Sequence, residues 1–130
     1  MKTYCFALDL HDDPGLIEEY KRYHTKDQVW PEVLERIRGN GVVSEEIYLA
    51  GNRLFMILKT TDDFSLEAKM KADSESPEMR KWEEVMGKYQ RPIPHARPGE
   101  KWVRMEKIFE VRQSSRPGYT RKLRGDALRA

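Results

Sequence analysis

The chain's 130 residues, 38% of them hydrophobic, suffice for one compact core and not for two, so a single domain over residues 1–111 is expected. Its net charge of +2 divides unevenly: residues 112–130 carry six basic side chains against Asp126 alone, while the rest holds 18 basic and 21 acidic groups and is mildly acidic. No apolar run approaches the about 20 residues that cross a bilayer, and the chain passes from Met1 and Lys2 straight into a strand pattern, so neither a membrane span nor a targeting segment is expected.

The first strand is "TYCFALDL", in which Tyr4, Phe6, Leu8 and Leu10 alternate with mostly uncharged neighbours, a pattern for burial on both faces. Its Cys5 is the only cysteine, reads as a small buried hydrophobe, and fits a reducing, cytoplasmic compartment. "DDPG" then starts a helix, with Asp13 as N-cap and Pro14 in the first turn, where its missing N–H is not needed. The helix runs through Leu16, Ile17, Tyr20, Tyr23 and His24, loosens near "TKDQ", resumes at Pro31 and ends in "RGNG", where Gly39 or Gly41 supplies a left-handed cap.

"VVSEEIYLAGNRLFMILKT" predicts a hairpin turning at Gly51-Asn52, a pair suited to positive φ. Five consecutive apolar residues in "LFMIL" place its second strand in the middle of a sheet, covered on both faces. Phe64, Leu66 and Met70 belong to a further helix, and Ser76-Pro77 starts another whose stripe is Met79, Trp82, Val85, Met86 and Tyr89. The proline-rich "RPIPHARPGE" interrupts, and "KWVRMEKIFEV" is the last strand. This order predicts an α+β, ferredoxin-like antiparallel sheet with helices on one face. The other face needs a cover, and an identical subunit is the simplest one, so a homodimer is expected. The tail 112–130, with Ser114, Ser115, Pro117, Gly118 and no aromatic beyond Tyr119, reads as disordered and solvated rather than as a nucleic-acid grip.

The three histidines do not cluster as metal ligands. His11-Asp12-Asp13 are adjacent rather than convergent, and Asp13 has a complete explanation as a cap. No glycine-rich phosphate loop, nucleophile elbow or local Cys-His pair occurs. Tyr20 and His24 remain, four residues apart on one helix face, so that their polar tips can converge. Histidine titrates nearest neutrality, and a tyrosine hydroxyl can orient a sugar oxygen. On spacing alone, a packed tyrosine with a satisfied histidine is the plainer reading. Trp82 faces the same discount: it lies on an apolar stripe, although a tryptophan face also stacks on the apolar side of a pyranose. Trp30 reads as a packing anchor.

The combination carries more than its parts. Tyr20-x-x-x-His24 followed by Trp30-Pro31-Glu32, Ile47-Tyr48-Leu49, Leu54-Phe55-Met56, Trp82 with Met86, and the closing Ile108-Phe109 resemble the L-rhamnose mutarotase family of small sugar 1-epimerases. The resemblance implies a dimeric α+β barrel, no metal or organic cofactor, and interconversion of the α and β anomers of a 6-deoxy-L-hexose. By position, His24 is similar to the family's catalytic acid/base, and Tyr20 and Trp82 to its sugar-binding residues. Rhamnose-type members carry a tryptophan pair where this chain has Trp82-Glu83, and a tyrosine where it has Glu45. "KTYCFALDL", "GNRLFMI" and "PGEKWV" look closer to an L-fucose-associated branch, so L-rhamnose and L-fucose both stand, and sugar contacts from Glu45, Glu83 and His95 stay open.

Two other functions fit the same architecture: a cofactor-independent oxygenase of electron-rich aromatics, and a non-enzymatic ligand-binding module. Glu45, Tyr48 and Glu83, taken as lying near the site, favour a polyhydroxylated ligand. Nucleic-acid binding through the sheet is disfavoured, because "RLFMILKT" offers one phenylalanine in an aliphatic run.

Overall fold

The computed structural model describes residues 1–113. Beyond Gln113, the expected basic tail lies outside the described residues. Strand β1 (Lys2–Leu10) carries Tyr4, Phe6, Leu8 and Leu10 on one face, and all four are buried. Helix α1 (Pro14–Tyr23) starts as expected: Asp13 caps it, its Oδ1 accepting from the Leu16 N–H at 3.1 Å. Near "TKDQ" the helix does not merely loosen but ends, with His24 as C-cap, and the chain turns before α2 (Pro31–Arg38). Pro31 fixes that restart, having no N–H to extend an earlier helix. Of the two candidate glycines, Gly41 is left-handed at φ +84°, whereas Gly39 is right-handed.

Strands β2 (Val42–Ala50) and β3 (Arg53–Thr60) form the hairpin, but only Gly51 takes positive φ at its turn. Asn52 acts through hydrogen bonds instead. Its side-chain amide donates to the Leu10 carbonyl at 2.9 Å, and its carbonyl accepts from the Leu10 N–H at 2.7 Å. The turn is thereby tied to the end of β1. Helices α3 (Leu66–Glu75) and α4 (Pro77–Gly87) follow, capped by Ser65 and Ser76. Met70 does not join the buried stripe, being 64% exposed, whereas Phe64, Met79, Trp82, Met86 and Tyr89 do.

The sheet order β2-β3-β1-β4 is the ferredoxin-like one, with β3 interior and every pairing antiparallel. Two dipeptide strands share the outer edge of β1: β4 (Gln90–Arg91) pairs with Asp9 and Leu10, and β5 (Val103–Arg104) pairs with Phe6 and Ala7. The expected long last strand is therefore only two residues long. Beyond it, Ile108 and Phe109 are 87% and 80% exposed, with no strand neighbour among the described residues to hold them.

The helices cover one face, where Leu8 is fully buried and Leu10, Leu54 and Leu58 meet Tyr20, Val33, Phe64, Met79, Trp82 and Met86 in two adjoining clusters. Expected burial of both sheet faces is realised only here. On the other face Cys5, Ala7, Phe55 and Ile57 are half-buried, and Ala7, Tyr48, Phe55 and Met105 line a shallow groove. One polar device sits at its end: Arg53 makes a two-pronged ion pair with Asp9 directly across the ladder, at 2.8 and 3.2 Å.

Candidate active site

Tyr20 is 3% exposed, on the inner face of α1. His24 follows one turn later, and its Nδ1 lies 2.8 Å from the Tyr20 carbonyl oxygen. A carbonyl only accepts, so Nδ1 carries a proton and donates it. In the neutral ring Nε2 therefore keeps its lone pair, which fixes one tautomer. Ring contacts reinforce the placement: the Tyr20 and His24 rings lie tilted 4.4 Å apart, and the His24 and Trp82 rings edge-to-face at 5.7 Å.

Trp82 comes from α4 and is buried, with Trp30 at 5.2 Å and Tyr23 at 6.1 Å. Trp30, the N-cap residue of α2, packs against this core as the expected anchor and joins the aromatic group. Tyr23 and Tyr89 complete it. The break after α1 explains why these rings meet: it lets His24 close one helix and Trp30 open the next on the same side of α4.

Burial depresses the His24 imidazole below its ordinary range, partly offset by the bond to the Tyr20 carbonyl. The Tyr20 phenol is pushed up to about 12, chiefly by burial; a hydrogen bond from Gln90 opposes this, and Glu83 and Glu45 add to it. At neutral pH the site thus offers an uncharged imidazole beside a protonated phenol, a base next to a donor.

Glu45 faces this side of the sheet by its unbroken register from the hairpin turn, which sets it opposite Leu58, buried under the helices; a β-bulge follows toward the start of β2. Val42 lies opposite Thr60 and Ser44 opposite Lys59, so Val43 is the extra residue, and it is 56% exposed. An inserted residue reverses which side chains face inward. The bulge therefore turns Val42, opposite the buried Thr60, to the same face as Glu45. Burial pushes the Glu45 carboxyl above its usual range; Lys69 opposes the shift, and Asp73 and Glu83 add to it. Lys69 and Asp73 form a partly buried ion pair at 2.6 Å on α3, while Glu83 is half-exposed and holds Lys101 at 3.4 Å.

The fold brings Tyr20, His24 and Trp82 together and sets Glu45 and Glu83 within electrostatic reach of Tyr20. It does not bring Tyr48 there: that residue pairs with Phe55 on the opposite sheet face, is 52% exposed and donates to Glu46 at 2.8 Å. His95 and His11 are exposed. Gln90 has no sequence signal to mark it, since a lone glutamine between a helix end and a proline-rich loop has no periodicity to place it. Among the described residues no group of three or more His, Cys, Asp or Glu side chains is arranged to hold a metal ion.

A family model described as L-rhamnose mutarotase matches residues 3–111. The chain belongs to the L-rhamnose mutarotase family. That family is one of carbohydrate epimerases, which are isomerases. An L-fucose mutarotase of Xanthomonas campestris is 37% identical over 114 residues, 88% of this chain and 91% of that protein. An L-rhamnose mutarotase of Brucella anthropi is 33% identical over 83 residues, 62% of this chain and 71% of that protein. The crystal structure of an L-rhamnose mutarotase from Formosa agariphila superposes with a TM-score of 0.63 at 23% identity, covering 86% of this chain and all of that one, a likeness of fold.

Proposed function

We propose that this mutarotase-family chain interconverts the α and β anomers of a 6-deoxy-L-hexose, with His24 as acid/base and Tyr20 and Trp82 as sugar contacts. The observation that carries the reading is the Nδ1–H bond of His24 to the Tyr20 carbonyl, which reserves Nε2 for a proton from outside. In the reaction Nε2 takes the anomeric hydroxyl proton as the bond from C1 to the ring oxygen breaks. The imidazolium then returns the proton to the freed ring oxygen, giving the open aldehyde. Rotation about C1–C2 and the reverse steps close the other anomer, and no atom is gained or lost. Tyr20, protonated throughout, donates a hydrogen bond rather than a proton.

The longer and closer likeness to the protein named for L-fucose supports L-fucose as the first sugar to test, ahead of L-rhamnose. The test is exchange NMR of each sugar with purified protein: acceleration of anomer exchange over buffer supports the reading, and a buffer rate with both sugars at high enzyme overturns it.

A pH profile follows from the site. Activity should hold from alkaline to neutral pH and fall about tenfold per unit once pH drops through the His24 value, which lies below 6.5, as the imidazole protonates. The sign for stability is the same. Because the folded pKa is depressed, the unfolded chain binds more protons, so this group's contribution is full above 6.5 and declines as pH falls toward the folded value. An acid limb centred well above 6.5 would contradict the assignment of His24.

The half-covered sheet face supports a homodimer that closes Ala7, Phe55 and Ile57 against a second copy. Sedimentation equilibrium should give twice the 15.4 kDa chain mass, and Phe55→Glu should give monomers. A monomeric wild type would refute the pairing.

A further inference from the structure

Gln90 opens β4, where pairing with Leu10 holds its backbone, and its side-chain Nε2 donates to the Tyr20 hydroxyl oxygen at 3.4 Å. Its Oε1 is buried with no hydrogen-bond partner among the described residues. A buried acceptor left unpaired is costly and uncommon in folded proteins, and the exceptions gather where a ligand completes the bonding. Because the Tyr20 oxygen already accepts from Gln90, the phenol's own proton is free to be donated elsewhere. The amide and the phenol together therefore present one acceptor and one donor. That is the complement of an alcohol, which accepts and donates through a single oxygen.

We infer that Gln90 is a substrate-orienting residue, which with Tyr20 holds one hydroxyl of the sugar: the hydroxyl accepts from Tyr20 Oη–H and donates to Gln90 Oε1. This rests on the mutarotase reading and deepens it, because it selects for a ring hydroxyl, as opposed to an ether or a methyl group, at that point.

The experiment is anomer-exchange NMR on the full chain, with wild type, Gln90→Met and Gln90→Leu, using L-fucose, L-rhamnose and the singly deoxygenated analogues of whichever sugar wild type turns over. Gln90→Met keeps the length of the side chain without its polar atoms, and Gln90→Leu is read in parallel should the first variant fold poorly. Loss of the bond should raise KM about 3- to 10-fold with kcat within about twofold, since it is made equally before and in the transition state. On one deoxy analogue wild type should lose more in kcat/KM than the variants do, by about the factor the substitution itself costs, because in the variants that hydroxyl keeps only its bond from Tyr20. Unchanged kinetics in the variants, or a deoxy penalty as large in them as in wild type for every analogue, would overturn the role of Gln90 and leave the mutarotase reading intact. A wild type at the buffer rate with both sugars would remove the mutarotase reading itself, and the sugar contact with it.

Discussion

His24→Asn is expected to lower the anomer-exchange rate by about 10²- to 10⁴-fold, the usual worth of one positioned acid/base, while the protein folds and assembles as wild type. The reason lies in where His24 sits. As the C-cap residue of α1, it has left regular helix geometry, at φ −101° and ψ 7°, and asparagine is at home at helix ends. Asparagine also keeps an N–H group on the atom that bears Nδ1, so the bond to the Tyr20 carbonyl survives while Nε2 is deleted. Tertiary structure is then controlled for, and chemistry alone is removed. A variant retaining the wild-type rate would mean that the proton moves through some other group. A wild type that binds sugar but shows no acceleration for the variant to lose would identify a binding module.

How far the fold is legible in the sequence depends on whether a signal is local. Strand alternation in Tyr4, Phe6, Leu8 and Leu10 sets the inner face of β1, and Asp13-Pro14 and Ser76-Pro77 mark helix starts that the structure keeps. The hairpin at Gly51 and the interior place of β3 follow from turn chemistry and an unbroken apolar run. Failures arise where tertiary pairing decides. "KWVRMEKIFEV" has strand composition, yet only Val103–Arg104 pairs with β1, opposite Ala7 and Phe6, and the residues after Arg104 leave its edge although β4 takes only Asp9 and Leu10. Tyr48 falls on the sheet face opposite to the expected one and Glu45 on the expected one, as an odd spacing of three in regular strand requires: Tyr48 pairs with Phe55 and Glu45 with Leu58. Spacing puts Tyr20 and His24 on one face, but only the Nδ1 contact to a carbonyl distinguishes an aimed imidazole from a packed one.

Trp82→Ala is expected to cost about 3–5 kcal/mol of folding stability, since a buried tryptophan removed to alanine forfeits its transfer energy and leaves a cavity. Trp82 is 7% exposed and meets Tyr23, His24 and Trp30, so the void would open at the point where α1, α2 and α4 converge. Against the about 5–15 kcal/mol that holds a domain together, this should lower the melting temperature by about 10 °C or more, read by circular dichroism. Such a loss alone would not separate a core residue from a sugar-stacking wall, because both die with the fold. Trp82→Phe separates them. Phenylalanine keeps an apolar ring in the cluster and should melt within a few degrees of wild type, but a smaller ring offers less surface to a pyranose, so KM should rise several-fold with kcat little changed. If Trp82→Phe instead left KM untouched while the alanine variant melted early, Trp82 would be a core residue only, and the stacking surface would have to be sought on Trp30, its half-buried neighbour at 5.2 Å.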